Sequence, residues 1–345
     1  MDSIWTKTFT NRKRVSLKGD IRADVAVIGG GMTGILTAWQ LKQAGVRAVV
    51  LEADRIGGGQ TGNTTAKVTS QHGMFCHTFI GNKGEETARK YVQANQAAVE
   101  EYKRIIREKG ISCDLRECDS YVYSADGDTL AKEVEAARKL GVDAVLENQI
   151  SLPVACAGAV CFHGQAEFHP LKFIGALAEE LEIYENTPVK EVEEHLVKTP
   201  GGSVRADKIV FAVHFPFINF PGMYFARMHQ ERSYVLALEN AGTVDGLYIG
   251  EGEDVLSFRQ YKQYLLLGGQ AHRTGENREG GRYEKLKKVA GKMYPQSRIA
   301  ACWSAQDCMT TDRVPLSDPM PLAVRPGTWG QAFSNGECAV PWCLP

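Results

Sequence analysis

Nowhere in the 345 residues does an apolar run approach the roughly 20 consecutive residues that a membrane-spanning helix requires, so no membrane span is expected. The first residues, MDSIWTKTFTNRKR, lack the apolar centre of a secretory signal, and a cytoplasmic location is the expectation. An excess of charge of one sign is missing too. Lys and Arg number 40 against 41 Asp and Glu, a net charge of -1, which leaves no overall field for nucleic acid or an anionic membrane. The nine cysteines are an odd number spread along a long chain, so free thiols are expected rather than a disulfide framework. Neither Cys113 and Cys118 nor Cys302 and Cys308 have the close pair spacing of a structural zinc site. Cys161-Phe-His163 has the form of half a Rieske iron–sulfur motif, with Cys156 just upstream, but no C-x-x-H follows and a cluster would lack ligands. Cys161 therefore reads as a buried apolar cysteine, and no metal site is expected.

What the chain does have is material for a large core, 43% hydrophobic residues, and length for about two domains. Residues 24–52 read DVAVIGGGMTGILTAWQLKQAGVRAVVLE: a buried strand, a glycine turn, a helix, a second strand and a closing acid. That order specifies an adenine dinucleotide site, for FAD or NAD(P). Gly29 makes the tight turn, Gly31 admits the pyrophosphate to the backbone, and Gly34 lets the helix pack closely on the strand. The phosphates belong at the helix N-terminus, where free N–H groups and the dipole favour negative charge, so Met32 and Thr33 join the expected site. Glu52, 18 residues after Gly34, accepts hydrogen bonds from ribose hydroxyls, with Ala53 beside it.

Residues 55–73, RIGGGQTGNTTAKVTSQHG, carry no apolar periodicity and read as a long functional loop. Helical spacing follows over 84–110, a strand over 113–125, and helices over 129–141 and 168–181. Residues 206–215, ADKIVFAVHF, read as a buried strand returning to a parallel sheet. Strands with turns between them over 222–272 carry an antiparallel signature. The expected fold is α/β (α+β, two-domain): a discontinuous Rossmann-like dinucleotide-binding domain with an inserted, mostly antiparallel substrate domain. The boundaries expected are 20–110, 150–220 and 300–315 for the first, and 111–149 and 221–299 for the second.

With the glycine turn, Glu52, the loop GQTGNTTAK at 59–67, the strand KIVFAV and the segment WSAQDCMTTDRVP at 303–315, the chain resembles the D-amino acid oxidase (DAO) superfamily of FAD-dependent oxidoreductases. It looks most like the branch whose longer members carry a C-terminal Rieske domain, although no Rieske domain is expected within these residues. The resemblance implies FAD in an extended form, with Thr61, Gly62, Thr64, Thr65 and Ala66 along its pyrophosphate and flavin. It implies an enzyme that takes a hydride from a C–N bond, with a small-molecule substrate and an electron acceptor as partners. The rival readings are a catalytically impaired flavin-binding remnant and an NAD(P)-dependent dehydrogenase.

Two departures matter. Amino-acid-oxidising members carry an arginine that clamps the substrate carboxylate, and here that position is Asp307. Arg259 is the candidate replacement, while Asp307 is a candidate for attracting an amine cation or a plain solvated residue. Trp303 and Tyr121, Tyr123, Tyr234 and Tyr261 read as core more readily than as pocket lining, and His72 more readily as a loop histidine than as a flavin attachment point. The second departure is the tail, 316–345, which as written lacks the family's closing strand and T-G-F-x-K-W-G-M segment. Regrouping its codons by one frame permits W-Y-V-G-T-G-F-F-K-W-G-M over 326–338, so the tail is expected to be an aberrant, out-of-frame and mostly irregular segment.

Overall fold

The computed structural model describes residues 2–218, 223–252, 255–276, 280–311, 317–318 and 329–332. The chain forms two compact units. One holds Trp5–Thr64, Pro170–Glu231 and the residues from Gln306 onward; the other holds Met1–Ile4, Thr65–His169 and Arg232–Ala305.

The unit with the glycine turn is built on a parallel sheet. The strands run in the order Glu182–Tyr184, Ala48–Leu51, Ile21–Ile28, Gly202–Phe211, Trp329–Ala332, then Ser317–Asp318. The run VAVI, residues 25–28, is apolar at every position because the sheet is covered on both faces, and Ala26, Val27, Val49 and Val50 are fully buried. Each such aliphatic side chain contributes roughly 1.5–3 kcal/mol by leaving water. The helix Met32–Gln43 buries Ile35, Leu36, Ala38 and Trp39, and the helix Pro170–Ala178 packs against it. Helix 170–178 is the core of the expected 168–181 helix, and the expected 206–215 strand is the end of Gly202–Phe211.

A mixed sheet, most of whose residues belong to the other unit, runs in the order Arg298–Thr310, Met228–Glu239, Tyr264–Arg273, Ser257–Tyr261, Leu247–Gly250, Arg116–Ser124, Gly158–Glu167, Lys67–Val68, with Ala144–Glu147 beside Gly158–Glu167. Its interior is Leu236, Leu238, Phe258, Leu265 and Leu267, closed by Leu286 and Ala290 of the helix Arg282–Met293. That helix lies beyond the 222–272 stretch read as strands. Leu247–Gly250 pairs parallel with Arg116–Ser124 rather than antiparallel. Residues 65–110 and 150–169, grouped from sequence with the nucleotide-binding segments, cluster instead with this unit. The cause is pairing: Gly158–Glu167 is bonded antiparallel to Arg116–Ser124 from one end to the other, apart from one irregularity at Asp119, which ties it to that sheet.

In the tail the described residues are both strands. Trp329–Ala332 pairs parallel with Ile209–Phe211, and Ser317–Asp318 pairs antiparallel with it. An edge strand with open N–H and C=O groups recruits such a partner. The other tail residues lie outside those described. The seven described cysteines are all free. Among the described residues no helix is long and apolar enough to cross a membrane.

Candidate cofactor site

A cavity of about 350 Å³ opens at the carboxyl ends of the parallel strands. This is where open α/β sheets bind ligands, because the loops diverge there and helix N-termini point inward. Gly29, Gly31, Met32, Thr33, Glu52, Ala53, Thr61 and Thr64 of the expected set line it. Gly29 holds φ +110, and a Cβ there would lie 2.4 Å from the Ala212 carbonyl oxygen. Gly34 lies outside the cavity, and its role is packing: a Cβ would stand 1.9 Å from the Gly29 oxygen. Gly31 is different again. The nearest atom to a Cβ there is Thr61 Oγ1 at 3.3 Å, so the protein alone would tolerate a methyl that the cavity would receive.

Hydrogen bonds fix the turn before any ligand arrives. The Gly30 N–H donates to Glu52 Oε2 at 2.6 Å and the Asp54 N–H donates to Oε1 at 2.9 Å. Each carboxylate oxygen keeps a second lone pair for another donor. The Met32 N–H donates to Thr61 Oγ1 at 2.9 Å, which caps the helix start with a loop residue. The loop is clamped in turn: Trp5 Nε1 donates to the Thr64 carbonyl at 2.7 Å, and the Gly57 N–H donates to the Gly30 carbonyl. Gly62 is buried outside the cavity, where a Cβ would lie 2.5 Å from the Gly57 oxygen.

Sequence reasoning missed the apolar walls: Pro188, Val189, Val213 and Phe217, with His214 beside them. The available signal was position. Two of these segments follow the parallel strands Glu182–Tyr184 and Gly202–Phe211. Burial lowers the His214 pKa to about 4, so its ring is neutral near neutral pH. Cys308 Sγ lies 3.5 Å from His214 Nε2, and burial pushes that thiol up to about 12. Gln60, another lining residue, accepts the Gln306 N–H at 2.7 Å.

The remaining expected residues are elsewhere. Thr65 and Ala66 belong to the other unit, where Arg259 Nη1 donates to both their carbonyls at 2.6 Å. Ala66 sits at φ +57, a strained conformation that these bonds hold. Arg259 is fully buried and ion-paired to Glu167 at 3.2 Å, so its guanidinium is committed to structure rather than presented to a substrate. Glu167 also accepts from Arg116 Nε at 2.8 Å. Asp307 is half-buried on the strand Arg298–Thr310 next to Cys308. Trp303 is buried core, and His72 meets the Tyr91 hydroxyl at 3.3 Å in an aromatic group with Phe75.

A glycine turn, a helix start and an acid thus meet on one cavity at the strand-end crevice of an α/β protein. The chain belongs to the DAO family, described as FAD dependent oxidoreductase, whose pattern matches residues 24–335. It is 35% identical over 323 residues to the protein named Rieske 2Fe-2S iron-sulfur protein YhfW of Bacillus subtilis (strain 168). That match covers 88% of this chain and 64% of the relative, so the chain spans under two thirds of that protein's length. It is 28% identical over 213 residues to gamma-glutamylputrescine oxidoreductase of Escherichia coli (strain K12), covering 57% of this chain and 50% of the relative. Among solved structures, glycine oxidase from Geobacillus kaustophilus superposes with TM-score 0.70 at 18% identity, covering 91% of this chain and 89% of that one. L-proline dehydrogenase from P. horikoshii gives 0.74 at 18%, covering 92% and 88%. At such identities the likeness establishes the fold.

Proposed function

We propose that this chain binds FAD in the cavity at the parallel strand ends and serves an oxidoreductase that removes a hydride from the C–N bond of an amine or amino-acid-like substrate. The observation that carries the reading is the convergence of the Gly29–Gly31 turn, the start of helix Met32–Gln43 and Glu52 on one cavity in a member of the DAO family. The unit with the turn is taken as the FAD-binding domain and the other as the substrate domain.

Bound there, FAD supplies the hydride acceptor and hands the electrons to oxygen or another acceptor. Gly31, Met32 and Thr33 receive the pyrophosphate at the helix N-terminus, where the dipole favours its charge. Glu52 uses its second lone pairs for the ribose hydroxyls, and its two backbone donors pre-orient it. Pro188, Val189 and Phe217 provide apolar surface for the adenine. Thr61 and Thr64, which line the same cavity, are assigned to the pyrophosphate and flavin. His214, half-buried and neutral near neutral pH, adds no positive charge to the cavity wall.

The substrate is read from Asp307, which stands where a carboxylate clamp would need an arginine. A carboxylate there favours an amine cation, in keeping with the amine-derived name of the Escherichia coli relative. The test is optical. Purified protein should show flavin absorption or take up FAD stoichiometrically as apoprotein, and the anaerobic flavin should bleach with polyamines or their derivatives faster than with glycine or D-alanine. Rapid bleaching by glycine or D-alanine would overturn the substrate class. A colourless protein that takes up no FAD would leave the cofactor-free remnant as the better description.

A further inference from the structure

The segment Cys161-Phe-His163 lies far from the glycine turn in sequence and outside its unit. On the strand Gly158–Glu167, residues two apart leave by the same face, so the thiol and the imidazole project together. The partner strand Arg116–Ser124 supplies a third group. Its register with Gly158–Glu167 slips between Cys118 and Ser120, which leaves Asp119 at an irregularity opposite His163 and Gly164. Such bulges re-aim a side chain, and here Asp119 Oδ2 reaches His163 Nδ1 at 3.0 Å. Cys161 Sγ is 3.8 Å from the same nitrogen, and the three atoms all lie within 4.8 Å of one another.

We propose that Asp119, Cys161 and His163 form a site for a borderline transition-metal cation, zinc(II) foremost. Donors at ordinary zinc distances in a tetrahedron stand about 3.3–3.6 Å apart, so side-chain rotations of up to an ångström or so bring the three onto one ion. The donor set selects the cation: thiolate with imidazole suits zinc and its neighbours and excludes magnesium and calcium. The groups behind the donors are also present. Asp119 Oδ1 accepts the Gly164 N–H at 3.2 Å, which sets the carboxylate plane, and the strand pairing sets Tyr121 opposite Cys161. Such outer partners orient metal ligands. Cys161 is fully buried while His163 and Asp119 are 38% and 35% exposed, so a fourth position opens to water or a further ligand. Binding exchanges the thiol proton for the cation, and that proton leaves to solvent. Spacing alone does not reveal the site, since Asp119 is 44 residues from His163.

The test uses the full chain, stripped of metal and kept reduced, titrated with cobalt(II) as a spectroscopic probe. Expected are one equivalent bound, the intense visible bands of a tetrahedral ion, a near-ultraviolet thiolate-to-cobalt band, and displacement by zinc(II). Cys161→Ser should remove the thiolate band. His163→Gln and Asp119→Asn should each weaken binding by about tenfold or more. His163 is partly exposed, so His163→Gln keeps the test decisive if the buried Cys161→Ser variant fails to fold; unchanged circular dichroism certifies its fold. No stoichiometric cobalt uptake, an octahedral spectrum, or a His163→Gln variant indistinguishable from the parent would overturn the proposal and leave a plain Asp–His pair beside a buried thiol.

Discussion

The glycine turn at residues 29–34 and the buried pair Arg259–Glu167 are both dense in constraint, yet they differ in what the constraint serves. Around the turn the protein leaves space: Gly31 borders a cavity, and Glu52 holds lone pairs in reserve. Around Arg259 the protein leaves none. Its guanidinium meets Glu167 and two carbonyls and is 1% exposed. The difference teaches that a site meant for a ligand turns unused capacity toward open space, whereas a structural node turns its charges on its own chain. Substitutions in the first should be read in FAD affinity, and substitutions in the second in stability.

The largest effect is expected at the saturated node. Arg259→Met leaves Glu167 buried beside only Arg116 and strips donors from the Thr65 and Ala66 carbonyls. Removing one member of a buried pair costs about 3–5 kcal/mol, so urea unfolding should move to much lower denaturant. If stability were unchanged while substrate affinity collapsed, Arg259 would belong to the substrate and the comparison would break.

Within the turn, two glycines should separate the two kinds of constraint. Gly34→Ala forces a Cβ to 1.9 Å from the Gly29 oxygen and should cost about 1–3 kcal/mol of stability through overpacking. At Gly31 a Cβ meets only Thr61 Oγ1 and the side chain points to the cavity, so Gly31→Val should give a folded protein without FAD. Thermal melting and flavin content, measured on both, check this. Stoichiometric flavin in Gly31→Val would remove the turn from the cofactor site.

How far the sequence could be read follows from the same contrast. Gly29, Gly31, Gly34 and Glu52 were legible because backbone geometry dictates residue type at fixed spacing, and the surrounding strand and helix confirm the register. Pro188, Val189 and Phe217 were not legible, because apolar walls have no preferred spacing and arrive by strand ends far apart in the chain. Arg259 was misleading for a related reason: a charge in sequence does not say whether it will face a ligand or be paired inside. Cys161 and His163 were visible as a pair, but their carboxylate neighbour came from a register slip between strands that no local pattern records.

A smaller effect tests the reserve capacity of Glu52. In Glu52→Gln the amide group turns an N–H donor toward either the Gly30 or the Asp54 N–H, so one turn bond is lost along with the charge that strengthens the ribose contact. Loss of one charge-assisted hydrogen bond is worth about 1.5–3 kcal/mol, or roughly 10- to 100-fold in the FAD dissociation constant. Titration of apoprotein reads it directly. An unchanged constant, with a lowered melting temperature, would move Glu52 from the ligand side of the comparison to the structural side.

The smallest effect is expected at His214, which lines the cavity and is half-buried. Burial depresses its pKa from 6.5 to about 4, so as acidity rises the unfolded chain takes up the proton first. The neutral, half-buried ring therefore contributes full stability above pH 6.5, and that contribution falls away as pH drops from 6.5 toward 4. Between pH 6.5 and about 5.5 the loss amounts to about 1 kcal/mol. His214→Gln, which does not titrate, should flatten the dependence over that window, measured as the urea midpoint of parent and variant at the two pH values. Equal slopes in parent and variant would show the ring to be solvated in the folded protein, and His214 would then count with the open cleft rather than with the saturated interior.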